Sequence, residues 1–523
     1  MDKHFRIRFT SDTHGYLYPT NFADTVCREI GLLRLIPEFP HDGNTLILDG
    51  GDTLQGSPFT NFYQHLDPDQ KLNQLNPNPY GTHPIATVMN LAGYQYVTLG
   101  NHDFNYGLDE LETYLSQLQA ACLLANIRDK AHRLPLKPYA IHTLENGLRI
   151  GIAGVCTHFV RVWENPETSA KLEIEDAFES ARDVYEQLKG QCDFTILLYH
   201  GGYECDLQTR RRLTDMTENQ ACQICESIGY DLVLTGHQHI SQAGLTYGLS
   251  YTVQPPYRAA GVCAIDIQVK DDGQRVFSSQ ILPANCPPSE TGMHILQPLN
   301  DKVETWLDTP AGHLDQSLPY IPHLKAALYH SLIANFINTV QREVSGAQIS
   351  SYSLPNEYSG FTAAPTIRDI VSTYIYSNTL VVLSISGADL KSYIERTAMY
   401  FELKPDNTIG VSDEFMRPKV QHYNYDFFSG IDYTIDVSKP AGSRVTRLEI
   451  NGHPVDPEAR YSLCINNYRH SGTSNYTMLP NQPVIADIQT DVADAIIEYL
   501  MNHDTVTIDT HKYSTILPVS KDC

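Results

Sequence analysis

Short apolar runs alternate with amphipathic segments over residues 1–270 of the chain. The runs FRIRFT, TLILDG, YQYVTLG, LRIGIAGV, DFTILLY and YDLVLTG predict strands. Between them, the segments TVCREIGLLRLI, IATVMNLAG, LDELETYLSQLQ and DAFESARDVYEQLKG carry apolar residues at helical spacing. This alternation predicts an α/β domain in which helices connect the strands of the sheet.

The pattern changes near ILPANCPPSETG, residues 281–292, where prolines and small residues interrupt it. A mostly helical stretch follows, and then the runs NTLVVLSISG, GIDYTIDV and RVTRLEING indicate a second, α+β unit. We therefore expect a first domain over 1–285, a helical linker that begins the second domain over 286–346, and the rest of that domain over 347–523. A chain of 523 residues is long enough to bury two separate cores.

Composition and charge exclude several classes of partner. Lys and Arg number 37 against 61 Asp and Glu, a net charge of −24 that repels nucleic-acid polymers and anionic membranes. No apolar stretch approaches the length of a membrane span, and the N-terminus MDKHFRIRFT has no apolar signal region. With 11 scattered cysteines, an odd number, we expect reduced thiols and a cytoplasmic location. The composition leaves the oligomeric state open.

Polar clusters directly follow five of the predicted strands. They are SDTHG, GGDTLQGS, GNHD, YHGG and TGHQH, which contain Asp12, His14, Asp52, Asn101, His102, Asp103, His200, His237 and His239. Ligand sites of open α/β sheets lie beyond the carboxyl ends of the strands. Clusters that are distant in sequence are therefore expected to meet at one edge.

The donors in these clusters suit divalent metal ions. Asp carboxylates, an Asn amide and several imidazoles, with no thiolate, favour Mn²⁺, Zn²⁺, Fe²⁺ or Co²⁺ over Ca²⁺. They suffice for two ions about 3.5–4 Å apart, a spacing that promotes in-line attack of water on phosphorus. Taken singly, each cluster is also consistent with a turn aspartate, a core histidine or a surface loop. Their repeated position after strands favours the metal site.

The order D-x-H, GGD, GNHD, a single His after an apolar strand, and GHxH resembles the calcineurin-like metallophosphoesterase superfamily. The resemblance implies a four-layer α/β/β/α sandwich with a dinuclear metal site. It implies one ion held by Asp12, His14, Asp52 and His239, and another held by Asp52, Asn101, His200 and His237. His102 and Asp103 are then the candidate catalytic residues. His102 would stabilise the phosphate or protonate the leaving oxygen, and Asp103 would cap or orient the turn.

The second domain contains two candidate base-binding tyrosines. Tyr376 with Asn378, and Tyr468 after two asparagines, form aromatic and amide pairs that suit a nucleobase, although tyrosines near strands are also typical of a core. The runs YSNTLVVLSISGADLKSYIE, YNYDFFSGIDYTIDVSKP, NGHPVDPEARYSL and NNYRHSG are similar to the 5′-nucleotidase C-terminal domain, in particular to its 2′,3′-cyclic-nucleotide 2′-phosphodiesterase/3′-nucleotidase branch. This resemblance implies that Tyr376 and Tyr468 stack on the base of a nucleotide substrate.

Two departures from the 5′-nucleotidase branch bear on the substrate. The motif here is GNHDFN, with Asn105 where that branch usually has Asp, and Arg368 is displaced from the position of its phosphate-side arginine. We therefore expect a metal-dependent hydrolase of nucleotide phosphoesters that acts as a 2′,3′-cyclic-nucleotide 2′-phosphodiesterase/3′-nucleotidase. The alternatives are a 5′-nucleotidase or UDP-sugar hydrolase on the same fold and, more remotely, an inactive nucleotide-binding scaffold.

Overall fold

The computed structural model describes residues 2–24, 26–67, 70–71, 83–212, 217–376, 378–417, 419–488 and 490–518. The chain divides into two compact units, Met1–Glu304 and Thr305–Cys523. Within the described residues, no helix combines the length and the apolar character that crossing a bilayer requires.

The first unit alternates strands with helices, as the sequence pattern predicts. Its strands are β1 (Lys3–Thr10), β2 (Thr45–Asp49), β3 (Tyr96–Val97), β4 (Ala121–Leu123), β5 (Ile127–Asp129), β6 (Leu136–Lys137), β7 (Tyr139–Thr143), β8 (Arg149–Cys156), β9 (Leu172–Ile174), β10 (Phe194–His200), β11 (Leu232–Thr235), β12 (Gln242–Tyr247), β13 (Ser250–Gln254), β14 (Gly261–Val269) and β15 (Arg275–Pro283). Its helices are Leu32–Leu35, Pro58–Gln64, Pro84–Ala92, Gly107–Gln117, Val160–Trp163, Pro166–Ala170, Ala177–Leu188, Ala221–Ser227 and Glu290–Leu307, the last of which includes the division between the units.

Two sheets form the centre of the first unit, in the orders β15-β14-β1-β2-β3-β4-β6 and β12-β13-β11-β10-β8-β7. The core between them takes alternate residues from each sheet, such as Ile7 of β1 and Ile196 of β10. The intervening residues of the second sheet, such as Leu197, pack on the helices Ala177–Leu188 and Ala221–Ser227. The predicted α/β/β/α fold is confirmed.

Strand direction brings the carboxyl ends of the key strands together. β1 pairs in parallel with β2, and β2 pairs in parallel with β3. In the second sheet, β10 pairs in parallel with β11. The loops that follow these strands therefore leave each sheet at one edge.

One helix prediction for this unit is wrong in extent. Apolar spacing predicts a helix over residues 25–36, but within the described part of that segment the α-helix is only Leu32–Leu35, followed by a 3₁₀ turn at Ile36–Glu38. Gly31 has φ 96°, and a Cβ there would lie 2.2 Å from the Tyr18 carbonyl oxygen. This close approach requires glycine and prevents the helix from starting earlier. Thr25 lies outside the described residues.

The second unit is α+β, as predicted. Its strands are β16 (Leu318–Pro319), β17 (Ile349–Ser353), β18 (Gly360–Phe361), β19 (Leu380–Ser386), β20 (Phe401–Leu403), β21 (Ile409–Val411), β22 (Asp426–Ser429), β23 (Asp432–Asp436), β24 (Val445–Ile450), β25 (His453–Pro454), β26 (Arg460–Asn466), β27 (Val484–Ile488) and β28 (Ser514–Leu517). Its helices are His323–Tyr329, Leu332–Ser345, Ile367–Thr373, Gly387–Ala398, Asn467–His470 and Val492–Met501. A sheet in the order β22-β17-β26-β19-β27 shares one core with the helix Leu332–Ser345.

A buried ion pair fixes the short helix Asn467–His470, which follows β26. Nε of Arg469 lies 2.8 Å from Oδ2 of Asp426, and each side chain is only 3% exposed. Arg469 also donates to the Tyr423 carbonyl at 3.0 Å, and its guanidinium lies over the ring of Tyr476 at 4.1 Å. The position of the helix that carries Tyr468 therefore depends on this pair.

We expect Asp426→Ala to lower the free energy of unfolding of this unit by about 3–5 kcal/mol, because Arg469 would stay buried without its counter-charge. Scanning calorimetry would record the loss as a lower Tm of one transition. Asp504→Ala, at an exposed position, serves as the control. A Tm for Asp426→Ala equal to that of the control would show that the pair does not stabilise the fold.

Candidate functional site

The loops after β1, β2 and β11, together with the last residue of β10, bring six of the predicted site residues into two groups. One group is Asp12, His14 and His239, and the other is Asp52, His200 and His237; within each, the donor atoms lie within 4.8 Å of one another. His14 Nε2 lies 3.9 Å from Asp52 Oδ2, so the two groups adjoin. Asn101 joins the second group through its Oδ1, 2.9 Å from His237 Nδ1.

Hydrogen bonds on the far side of three imidazoles determine which ring nitrogen faces the site. His14 Nδ1 donates to the Gln55 carbonyl and His200 Nδ1 donates to the Gly50 carbonyl, each at 2.7 Å. His237 uses its Nε2 in the same way, at 2.9 Å from Oε1 of Glu218. Each of these rings therefore turns its other nitrogen toward the cluster.

Ligating atoms of different residues consequently lie close together in the site. His200 Nε2 lies 3.2 Å from Asp52 Oδ2, and both buried atoms lack a hydrogen-bond partner among the described residues. His237 Nδ1 and Asn101 Oδ1 lie 2.9 Å apart, at hydrogen-bond distance. Buried carboxylate, amide and imidazole ligating atoms gathered in this way fit divalent metal ions.

The charge of Asp52 agrees with this interpretation. Burial opposes ionisation, but the facing imidazoles of His200, His102 and His14 hold the pKa of Asp52 well below its usual value. The carboxylate is therefore ionised, as metal binding requires.

Backbone strain is concentrated at the same residues. Positive φ values, rare for residues with a side chain, occur at Asp12 (56°), His14 (50°), Asp52 (55°), His237 (72°) and His239 (54°). Gly100 allows the closest approach, since a Cβ there would lie 2.2 Å from Asp52 Oδ1. Strain of this kind persists at functional sites because the surrounding structure holds it in place.

His102 and Asp103 have different surroundings. The backbone N–H of His102 donates to Asp52 Oδ1 at 2.7 Å, and its ring Nδ1 lies 2.7 Å from Oδ1 of Asn105. The buried Asp103 carboxylate accepts backbone N–H groups of Asp52, Thr53, Leu54 and Gly100 at 2.8–2.9 Å. Asp103 thus holds the loop that carries Asp52 through backbone hydrogen bonds.

The sequence analysis did not identify three residues that contact the imidazoles of the two groups. Glu218 accepts from His237, as described above. The rings of Trp163 and His237 are stacked at 5.4 Å, and those of Tyr257 and His239 at 4.7 Å. None follows a predicted strand in a recognisable motif, so only the tertiary structure identifies them.

We expect Glu218→Ala to weaken metal affinity about 10–100-fold, because His237 would lose the partner that fixes its ring and its basicity. Competition with a chromogenic chelator would measure the change. Glu186→Ala, at an exposed position on the helix Ala177–Leu188, is the control. Equal affinities of the two variants would contradict the role of Glu218.

A third group of donors, Glu204, Cys205 and Cys222, also lies within 4.8 Å. Both carboxylate oxygens of Glu204 accept backbone N–H groups at the start of the helix Ala221–Ser227. Burial raises the pKa of the Cys205 and Cys222 thiols, so they stay protonated. This group caps a helix and does not resemble a metal site.

In the second unit, the predicted base-binding residues lie at one end of the five-stranded sheet. β19 and β26 are antiparallel, with Leu380 opposite Asn466. Tyr376 and Asn378 precede β19, and Tyr468 follows β26, so all three lie at the same edge. Tyr376 and Tyr468 are partly exposed, and the Asn378 amide donates to the Tyr374 hydroxyl at 3.4 Å.

Comparison with known proteins agrees with both units. Residues 5–241 match the calcineurin-like phosphoesterase family, and residues 311–481 match the 5′-nucleotidase C-terminal domain. A solved structure of a candidate 5′-nucleotidase from Staphylococcus aureus, in complex with α-ketoglutarate, is 31% identical, with a TM-score of 0.87 over 98% of this chain and 100% of that one. The chain belongs to the 5′-nucleotidase family of calcineurin-like phosphoesterases. The predicted family and the prediction of a phosphoesterase hydrolase are confirmed.

Curated relatives in this family cover most of the chain. The 2′,3′-cyclic-nucleotide 2′-phosphodiesterase/3′-nucleotidase of Salmonella typhimurium is 25% identical over 89% of this chain and 81% of its own length. The trifunctional nucleotide phosphoesterase protein YfkN of Bacillus subtilis is 24% identical over 99% of this chain, which spans only 39% of the length of YfkN. Nucleotide substrates and divalent metal ions fit this family.

Proposed function

We propose that the first unit binds two divalent cations, with Mn²⁺, Zn²⁺, Fe²⁺ or Co²⁺ as the candidates. Asp12, His14, Asp52 and His239 would hold one ion, and Asp52, Asn101, His200 and His237 would hold the other. The observation that carries this assignment is the convergence of buried carboxylate, amide and imidazole ligating atoms around Asp52. When bound, such ions supply Lewis-acid stabilisation of the phosphoryl oxygens and activation of water.

His102 would act on the phosphate itself. Its Nδ1 is occupied by Asn105, so Nε2 is the ring atom left to donate to a phosphoryl or leaving oxygen. Its backbone N–H holds Asp52, which places the imidazole beside the metal groups. His102 thus stabilises developing charge, while Asp103 keeps the loop of Asp52 in position.

The proposed substrates are 2′,3′-cyclic nucleotides and 3′-nucleotides. Asn105 supports this choice, since it occupies the position where the 5′-nucleotidase branch usually has a carboxylate. Arg368 also supports it: its match to the phosphate-side arginine of that branch is displaced in the sequence, and its guanidinium pairs with Asp308 at 2.7 Å. The Salmonella relative carries the same two activities in its name.

A 5′-nucleotidase or UDP-sugar hydrolase is the second candidate. The structural similarity to the Staphylococcus aureus protein, described as a candidate 5′-nucleotidase, favours it. The two groups of donors and His102 suit either reaction, so the candidates differ in which bond to phosphorus is cleaved: a 2′- or 3′-phosphoester in one case, and a 5′-phosphoester or the diphosphate bond of a UDP-sugar in the other.

Side-by-side kinetics distinguish the candidates. We expect kcat/KM of the Mn²⁺-loaded protein to be higher for 2′,3′-cyclic AMP and 3′-AMP than for 5′-AMP and UDP-glucose, with a chelator control. A preference for 5′-AMP or UDP-glucose would overturn the substrate assignment and leave the metal site in place. Absence of turnover on all four would favour the inactive scaffold instead.

In the second unit, we propose that Tyr376 and Tyr468 stack on the nucleobase and that Asn378 reads its edge. Two partly exposed aromatic rings at one sheet edge suit a planar ligand. The buried pair of Arg469 and Asp426 rigidifies the helix of Tyr468, which lowers the entropic cost of ordering that ring on binding.

We expect Tyr468→Ala to raise KM for nucleotides by about 5–150-fold, since stacking contributes about 1–3 kcal/mol per base. Tyr468→Phe keeps the aromatic face and is the matched control, with KM near that of the unmodified protein. Steady-state kinetics on 3′-AMP measure both. An equal rise of KM in the two variants would show that the hydroxyl, rather than stacking, binds substrate.

A further inference from the structure

A chain of hydrogen bonds leads from His102 to a buried carboxylate that the mechanism does not otherwise use. His102 Nδ1 lies 2.7 Å from Oδ1 of Asn105. Nδ2 of the same amide donates to Oε2 of Glu164 at 3.0 Å. The second oxygen of Glu164, Oε1, accepts the backbone N–H of Asn165 at 2.8 Å.

With Glu164 ionised, the chemistry of these groups sets one direction for this series of hydrogen bonds. An asparagine amide has a donor end and an acceptor end, so by itself it can present either one to an imidazole. A carboxylate only accepts, and therefore Glu164 requires the donor end of Asn105. The acceptor end is left for His102, whose proton must then lie on Nδ1 and whose Nε2 faces the opposite way.

Glu164 is itself held firmly. It is 8% exposed, and its backbone N–H donates to the Val160 carbonyl at 2.9 Å, which ends the helix Val160–Trp163. The preceding residue, Trp163, stacks on His237. Two consecutive residues therefore support the site. Trp163 contacts His237, and Glu164 is connected to His102 through Asn105.

We propose that Glu164 is a positioning residue for His102: it sets the orientation of the Asn105 amide, which keeps the His102 proton on Nδ1 and leaves Nε2 for the substrate. The proposal rests on the proposed function only in assigning His102 to the reacting phosphate. It also explains how an amide at position 105 orients the imidazole, because Asn105 is itself hydrogen-bonded to the Glu164 carboxylate.

Glu164→Gln is expected to reverse the direction of these hydrogen bonds with little change in the shape of the side chain. If the new carbonyl keeps the Asn165 N–H, the new amide nitrogen faces Asn105 and forces that amide to turn its own donor end toward His102. We expect kcat to fall about 10–100-fold with KM and metal content unchanged, because neither the substrate contacts nor the metal donors are altered.

Asn105→Asp tests the same hydrogen bonds at their middle residue. The single variant would place two buried carboxylates against each other, and we expect a comparable loss of kcat. In the double variant Asn105→Asp/Glu164→Gln, the carboxylate introduced at position 105 accepts from both His102 and the amide introduced at position 164. The double variant should therefore recover most of the kcat that either single variant loses.

Steady-state kinetics of the two single variants and the double variant, relative to the unmodified protein, test the proposal. Glu167→Gln, at a position 82% exposed, is the matched control and should change nothing. A wild-type kcat for Glu164→Gln, or a double-variant loss equal to the product of the single losses, would overturn the proposal.

A spectroscopic readout separates this proposal from the proposed function. In zinc-loaded protein labelled with ¹⁵N-histidine, the Nδ1–H signal that disappears in His102→Gln belongs to His102. We expect that signal in the unmodified protein and the double variant, and its loss in Glu164→Gln. If no nucleotide is turned over, the proposed function fails, while persistence of the signal in Glu164→Gln would still refute the positioning role.

Discussion

His102→Ala is expected to keep its metal ions and to lose about 10²–10⁴-fold in kcat, the range in which acid–base groups contribute. The metal groups do not include the His102 ring, which bonds to Asn105 instead. Its backbone N–H, which holds Asp52, is unaffected by the substitution. Metal binding and catalysis should therefore separate in this variant.

Elemental analysis and steady-state kinetics on the preferred nucleotide measure the two effects. His4→Ala, which removes an exposed imidazole from β1, is the control and should retain both properties. Full activity in a metal-replete His102→Ala protein would remove His102 from the mechanism. Loss of metal together with activity would instead make it a ligand.

Among the substitutions proposed, Asp52→Asn is expected to lower the metal content most. Asp52 Oδ2 lies near both His200 and His14, so it is the carboxylate shared between the two groups. The substitution keeps the shape but removes the charge that neighbouring imidazoles hold in place. We expect metal affinity to fall by more than the roughly 10–100-fold typical of outer-shell changes, and activity to fall with it.

Metal retained after gel filtration, measured per chain, tests this expectation. Asp42→Asn, at a partly exposed carboxylate that pairs with Arg6, is the matched control and should bind as the unmodified protein does. If Asp52→Asn retained the metal content of the control, Asp52 would not lie between the ions.

The sequence predicted the α/β fold, and it indicated which polar residues gather at the ends of the strands, because both depend on local patterns. Alternation of apolar residues marks strands such as β1 and β10, and polar residues after a strand mark its functional end. Family resemblance then grouped Asp12, His14 and His239 apart from His200 and His237, and the structure places these residues in the same two groups.

The supporting residues were not predictable in this way. Glu164 bonds to Asn105, which in turn bonds to His102, and Glu218 bonds to His237. Neither glutamate has a periodicity or motif that distinguishes it from an ordinary surface glutamate. The truncated helix near Gly31 has a similar origin, because the close approach of the Tyr18 carbonyl is a tertiary contact. Local sequence patterns identify the reactive side chains, whereas tertiary packing determines which other residues orient those side chains.

Anomalous X-ray diffraction from crystals of the Mn²⁺-loaded protein would show whether Asp52 lies between two metal ions. We expect two anomalous peaks flanking the Asp52 carboxylate, about 3.5–4 Å apart, one beside His14 and His239 and the other beside His200 and His237. A single peak, or none at these residues, would contradict the two-metal site.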